Sequence, residues 1–412
     1  MELTYHNRIV KISDEIEIGQ FNESNEYIIT HQRLGNRIVV NQLTLDILNL
    51  IDNKSSLATI VDRFNEKATN TISVKTALAL LYGKLGKQGI IIDENYEAQK
   101  KSKNSYLYLS FTLISKKNLN FFTNLVSPLI SFTHFYKILF ASLAVVLFSV
   151  IYNHSAIVTN FSSINVGHII FFVFIKGGII FLHEFGHAAA CKKLGAEPGS
   201  VGFGFYLLSP VMYADVSDVW KLKSKERNYV NFAGLYMEVL LAVVLTAVYF
   251  FIIQDISLLI INHIILLSFV LNLNPFLRYD GYWVLSDTIK TANLRKVSME
   301  KLRLCIQSIF KKGSFSYTTK NIFLVVYAFI SAIFIFVFLG IIFLKDPNSL
   351  ITFPVDFYTH IKTLIVGGKP FIMNELTQFI LPFLFYFIII KLFISKFIGR
   401  KHKRQRFQKT DK

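Results

Sequence analysis

Charge is scarce in this 412-residue chain: Asp, Glu, Lys and Arg make up 17% of it, against roughly 25% in an ordinary soluble protein. A wholly soluble architecture is therefore disfavoured. Cysteine is rarer still, and two of them cannot staple a disulfide-dense secreted scaffold. What the chain has in quantity is apolar: 52% hydrophobic residues and 40 Phe exclude intrinsic disorder.

The net charge of +17 would suit a nucleic-acid binder if it were spread evenly, but it is not. Residues 1–98 hold 10 Lys and Arg against 13 Asp and Glu, net −3, leaving 34 against 14, net +20, for residues 99–412. The basic excess belongs to the hydrophobic part, where it reads as a topology signal. No nucleic-acid partner is expected, and the lipid bilayer is.

Six apolar stretches approach the ~20 residues that cross a ~30 Å hydrocarbon layer. They are Phe135 to Tyr152, Ile164 to Ala190, Val230 to Ile253, Ile256 to Leu273, Ile322 to Leu344 and Leu376 to Phe397. Lys and Arg crowd the loops after the second and fourth and the tail after the sixth, while the loops after the first and third have none. The positive-inside rule then puts both termini in the cytoplasm of a multi-pass protein of the cell membrane. Cys191 and Cys305 would be cytoplasmic free thiols. Leu119 to Phe135, broken by Pro128, and Leu350 to Val366, with Asp356, His360 and Lys362, read as interfacial.

At the end of the second stretch stands His183-Glu184-Phe185-Gly186-His187. On a helix, positions i and i+4 share a face, so both imidazoles can hold one Zn²⁺ while Glu184 stands beside it as a base. Catalytic zinc usually takes three protein ligands, and Asp280 offers the third. It follows the fourth stretch in Asn272-Leu-Asn-Pro275-Phe-Leu-Arg-Tyr-Asp280-Gly281, and the loop charges bring it to the same membrane side as His187. Pro275 breaks the helix and Gly281 permits a sharp turn. His168 and His263 lie off these motifs and read as interhelical hydrogen bonders. Cys191, four residues past His187, reads as a packed thiol.

These motifs resemble those of the site-2 protease family of intramembrane zinc metalloproteases. The run from His183 through Asp287 is more closely similar to the bacterial peptide zinc metalloproteases of that type. Supporting blocks are Leu194-Gly195-Ala196, Pro210-Val-Met-Tyr213-Ala-Asp215, Phe232-Ala233-Gly234 and Asp280-Gly-Tyr-Trp-Val-Leu-Ser-Asp287. The resemblance implies one zinc per chain held by His183, His187 and Asp280, with Glu184 as base and Asn272 helping to position substrate or water. One departure stands out. Where many relatives have Gly-Pro-x-x-Asn, this chain has Gly234-Leu-Tyr-Met-Glu238, which puts a carboxylate in an apolar stretch. Lys176 lies about 16 Å above His187 and Glu238 about 12 Å above Val230, similar depths that permit an ion pair. The rival reading brings Glu238 toward the zinc.

Gly199 to Ser209 alternates Val201, Phe203 and Phe205 with small residues, a strand pattern. An edge strand beside the zinc would hold a substrate extended, with Phe203 and Phe205 positioning it; the alternative is a structural hairpin filling the cavity.

In the N-terminal part, Glu26 to His31 and Asn36 to Val40 alternate as two strands around Gly35-Asn36. Helical patterns follow at Leu43 to Ile51, at Leu57 to Phe64 behind Ser55 or Ser56, and at Val74 to Leu85. Two strands and three short helices fit a small α+β winged-helix-like domain. Residues 20–95 resemble the PqqD-type peptide-recognition domain, which implies binding of the leader of a ribosomally made peptide as an added strand.

The expected organisation is a peptide-binding domain at 1–98, a linker and interfacial segment at 99–134, a polytopic α-helical core of about six spans at 135–397, and a basic tail at 398–412. The expected activity is zinc endopeptidase cleavage of a peptide during maturation or export, with a peptide substrate or leader as partner. Alternatives are intramembrane cleavage of a membrane-bound regulator or signal peptide, and a non-enzymatic peptide export or immunity role.

Overall fold

In the computed structural model the described residues are 8–20, 26–67, 71–92, 108–161, 166–206, 209–311, 315–345, 347–366, and 379, 382 and 386. The chain divides into two compact units, residues 1–204 with 212–293, and residues 205–211 with 294–412.

The first unit begins with a small α+β body. Strands β1 (Lys11–Ile12), β2 (Ile16–Gln20), β3 (Glu26–His31) and β4 (Arg37–Asn41) precede helices α1 (Gln42–Asn49), α2 (Leu57–Lys67) and α3 (Val74–Leu78); α3 runs on through a wider turn at Ala79–Leu85 to β5 (Ile91–Ile92). β2, β3 and β4 form an antiparallel sheet in that order, with Ile29 opposite both Ile18 and Ile38, and β1 pairs with β5. The β3–β4 turn uses Gly35 at φ +66°, a left-handed conformation that disfavours a Cβ. Asn41 starts α1 by accepting the Thr44 N–H at 3.1 Å, and Ser56 accepts the Thr59 N–H at the start of α2. Ile29, Ile47, Leu57, Ile60, Leu81, Leu85 and Ile90 are fully buried, so the helices and sheet close one apolar core. The two expected strands and three helical segments are present. β1, β2 and β5 are additional.

The helical body follows. Strand β6 (Tyr108–Ile114) leads to the amphipathic helix α4 (Lys116–Val126), which buries Leu119, Thr123 and Val126 while Phe121 and Leu125 face outward. A single turn at Ser127–Leu129 carries Pro128. Then come α5 (Phe135–Tyr152), α6 (His154–Phe161), α7 (Val166–Lys193), β7 (Val201–Tyr206), β8 (Ser209–Ala214), α8 (Ser224–Phe251), α9 (Ile256–Asn272) and α10 (Asp280–Thr288).

Among the described residues three helices are long and apolar enough to cross a membrane: Phe135–Tyr152, Gly167–Lys193 and Ser224–Phe251. They point to a membrane protein. The fourth expected span is α9, apolar but 17 residues long, and the fifth lies in a longer helix of which Thr319–Phe334 is apolar and short. The sixth, Leu376 to Phe397, lies outside the described residues apart from positions 379, 382 and 386.

Helix α8 is the hub of this body, packing against α5, α7, α9 and α10. Its approach to α7 is close because both contribute glycine. A Cβ on Gly186 would stand 2.5 Å from the Ala233 carbonyl oxygen, which no real side chain tolerates. Small residues at helix crossings let backbones approach in this way.

The second unit holds α11 (Leu294–Lys311), α12 (Thr319–Lys345) and α13 (Pro347–Val366), with α11 packed on α12. The stretch expected to be interfacial at 350–366 is helical, with Pro354 inside it.

Candidate metal centre

His183 and His187 lie one turn apart near the C-terminal end of α7, as their spacing requires. Their Nε2 atoms are 3.0 Å apart. Asp280 opens α10, and its Oδ2 is 3.1 Å from His183 Nε2 while its Oδ1 is 3.4 Å from His187 Nε2. The three residues thus converge on one point, with their donor atoms within 4.8 Å of one another. Two imidazoles and a carboxylate at these separations fit a tetrahedral zinc with one position left open.

Asp280 Oδ2 is buried and has no hydrogen-bond partner among the described residues. A buried oxygen left unpaired is costly unless something else satisfies it, and a cation between the three side chains would do so. The ligand chemistry and the unpaired oxygen therefore agree.

Local backbone explains why the three meet. Asn274 accepts the Phe276 N–H at 2.8 Å, turning the chain after α9. The chain then folds back so tightly that a Cβ on Gly281 would lie 2.7 Å from Leu273 Cα and closer still to its carbonyl group. Glycine is thus obligatory beside Asp280. Gly234 on α8 serves the other side: a Cβ there would stand 2.5 Å from Nε2 of both histidines.

Each imidazole has a group behind it. His187 Nδ1 is 2.7 Å from the Val230 carbonyl oxygen, which can only accept, so Nδ1 carries the proton and Nε2 presents its lone pair. His183 Nδ1 is 3.1 Å from Oε1 of Glu238, and Lys176 Nζ is 3.8 Å from that same oxygen. Glu238 thus faces Lys176 and the histidine cluster with one and the same oxygen. Lys176 in addition donates to Ser268 Oγ on α9 at 3.0 Å.

Glu184 is buried on α7, and its carboxylate lies against the backbone amide of Ala214 at the end of β8. Strand order in the sheet is β6–β7–β8. This corrects the expectation for residues 199–209: β7 is the middle strand, flanked on both sides, because β6 arrives from about 90 residues earlier. An open edge beside Glu184 would belong to β8. Phe203 packs on Phe111 of β6 at 5.3 Å, and Phe205 falls in the second unit. Asn272, half-buried, is the last residue of α9. His168 lies against Phe172, and His263 Nδ1 is buried without a hydrogen-bond partner among the described residues. Cys191 is a fully buried free thiol packed in the core.

One group essential to the architecture has no counterpart in the sequence reading. Arg227, fully buried in the first turn of α8, donates from Nε to Asp287 Oδ1 at 2.6 Å and from Nη1 to the Leu222 carbonyl at 2.8 Å. Asn231 donates to the other oxygen of Asp287 at 2.8 Å, Ser224 Oγ bonds the Asp287 carbonyl, and Trp220 lies under the guanidinium at 5.2 Å. Burial raises the Asp287 carboxyl above its ordinary range, while Arg227 and Asn231 pull it back. This clamp fixes α10, and hence Asp280, to α8. In the sequence, the place of Arg227 beside an apolar run is the available signal. Nearby, Lys221 pairs with Glu17 of β2 at 3.4 Å, so the N-terminal sheet touches the segment that follows β8.

No family model matches the chain, and no solved structure matches it. A curated protein of Bacillus subtilis (strain 168), "Putative peptide zinc metalloprotease protein YydH", is 29% identical over 209 residues, which span 48% of this chain and 79% of that protein. The likeness is thus to a protein named as a zinc metalloprotease, and in this chain His183, His187 and Asp280 converge as a candidate metal site.

Proposed function

We infer that the protein is a membrane-embedded zinc endopeptidase of the site-2 protease type that cuts a ribosomally made peptide during its maturation or export. The observation that carries this reading is the meeting of His183, His187 and Asp280 beside Glu184, at the end of a helix long and apolar enough to span a membrane. Ionisable side chains in such a helix are expensive, and a purely structural role would not need three of them gathered at one point with Asp280 of α10.

Zinc bound by the three ligands would supply Lewis acidity, lowering the pKa of a water in the open position and drawing charge from a peptide carbonyl. Glu184 takes the proton that the water gives up as its oxygen attacks the carbonyl carbon. The same carboxyl then returns that proton to the departing amine nitrogen, so the C–N bond breaks with the balance restored. The Val230 carbonyl holds the His187 ring in the metal-binding tautomer throughout.

A helical substrate must be unwound before a carboxylate can reach its amide. An edge beside Ala214 suits that need, since a peptide added as a strand is held extended. The N-terminal domain is assigned to leader binding of the PqqD type. Its contact through Glu17 and Lys221 with the segment after β8 supports delivery of a bound peptide to the same place. Both termini are assigned to the cytoplasm of a bacterial cell, on the loop charges.

The test compares peptides under ~10 kDa, by mass spectrometry, in cells carrying the native protein and cells carrying Glu184→Gln. Removing a general base costs about 10²–10⁴-fold in rate, so a precursor should accumulate uncut in the variant. Identical peptide sets, with a secreted peptide lost only on complete deletion, would instead mark a binding or export protein.

A further inference from the structure

We propose that Glu238, backed by Lys176 and Ser268, is the positioning carboxylate of the metal centre: it holds His183 in the tautomer and orientation that present Nε2 to the metal. The proposal rests on the zinc assignment above and deepens it.

His183 Nδ1 is buried and has no hydrogen-bond partner among the described residues, yet a carboxylate oxygen of Glu238 stands 3.1 Å away. A carboxylate accepts and cannot donate, so the proton must sit on Nδ1 and the lone pair on Nε2. That Nε2 is the atom facing Asp280 and His187. His187 has the Val230 carbonyl behind it, and Glu238 does for His183 what that carbonyl does for His187. A carboxylate is the stronger acceptor of the two.

A buried carboxylate needs a counterpart, and Glu238 is 2% exposed. Lys176 supplies it from the same face of α7, 3.8 Å from the oxygen that faces His183. Seven residues separate Lys176 from His183, two helical turns, so the α7 spacing puts the cation and the ligand on either side of one α8 carboxylate. Ser268 accepts a proton of Lys176 at 3.0 Å and so ties the arrangement to α9. Three helices thus contribute to one ligand's orientation. Lys176 and Ser268 are placed to act through Glu238.

The experiment uses the full-length protein in detergent and reads metal binding by chelator competition, with Co²⁺ as a second, visible probe. Native protein that binds zinc, and His183→Ala that does not, establish the centre itself. If native protein holds no zinc, the zinc reading fails before this one is reached. Given a functioning centre, Glu238→Gln should bind zinc about 10–100-fold more weakly. It should also shift the visible absorption of bound Co²⁺, with native helix content retained. Equal affinity and an unchanged cobalt spectrum would overturn the proposal. If Glu238→Gln does not accumulate, Glu238→Asp keeps the charge for Lys176 but shortens the reach to His183 by one methylene. Weaker zinc binding in that variant supports the proposal, and native binding overturns it.

Discussion

The N-terminal body and the helices around the metal centre use buried polar groups in opposite ways. In the former, the polar residues buried with the core are Ser13, His31, Asn36 and Thr44, each in or beside a turn or a helix cap, and the core itself is mostly aliphatic. Its best-connected carboxylate, Asp52, is exposed and binds Ser55 and Arg63 at the surface. In the latter, Arg227, Glu238, His183, Glu184, His187 and Asp287 are all buried, and every one lies in or behind the centre or in the clamp that fixes Asp280. Polar groups in the first region finish secondary structure. In the second, these six are held at a point against a desolvation cost that packing alone would not justify.

That contrast can be broken most directly at Gly234. Alanine there would put a methyl group 2.5 Å from both metal-facing nitrogens, so Gly234→Ala should lose most of its bound zinc while keeping native helix content. Retention of zinc would show that the histidines do not hold their positions. Gly35, whose Cβ would meet nothing within 4 Å, is the matched control: alanine there costs only the ~1–2 kcal/mol of a left-handed residue.

The clamp comes next. Arg227→Met should destabilise the helical body by about 3–5 kcal/mol, because it leaves Asp287 buried without its cation. Thermal inactivation of the detergent-solubilised protein reads this, and a native midpoint would mean that Asn231 alone suffices. In the N-terminal body the comparable loss is a cavity. Leu81→Ala should cost about 2–5 kcal/mol and lower the unfolding transition of that body. The zinc content should not move; if it falls too, the two regions are not energetically separable.

The smallest effect is one of pH. Hydrogen bonds from Ser55 and Lys54, helped by Arg63, hold the Asp52 carboxyl well below its ordinary value. A depressed carboxyl contributes stability above its unfolded pKa of ~3.9 and loses it as pH falls through the folded value. Asp52→Asn should therefore flatten the acid limb of the N-terminal body's stability profile, with little change near neutrality. An unchanged acid limb would remove Asp52 from the account.

How much of this could be read from the sequence depended on distance along the chain. Strands β3 and β4 and helices α1 to α3 declare themselves by local alternation and periodicity, and all were legible. β1 and β5, two residues each, exist only because they pair across some 80 residues, and no local pattern records that. The same reason hid the middle position of β7. His183 and His187 were legible because helical spacing is a local property, and Asp280 because helix direction carried it to the same end. Depth arithmetic brought Lys176 to Glu238 but gave no rotation about α8, so it could not decide between the lysine and the centre. The answer, that one carboxylate faces both, needed coordinates.

The central claim is that His183, His187 and Asp280 hold one catalytic zinc. Zinc per chain, measured by atomic spectroscopy on purified native, Glu184→Gln and Asp280→Ala proteins, tests it most directly. The account predicts about one zinc in the native protein and in Glu184→Gln, and almost none in Asp280→Ala. Zinc that survives in Asp280→Ala, or that is missing from the native protein, would contradict it.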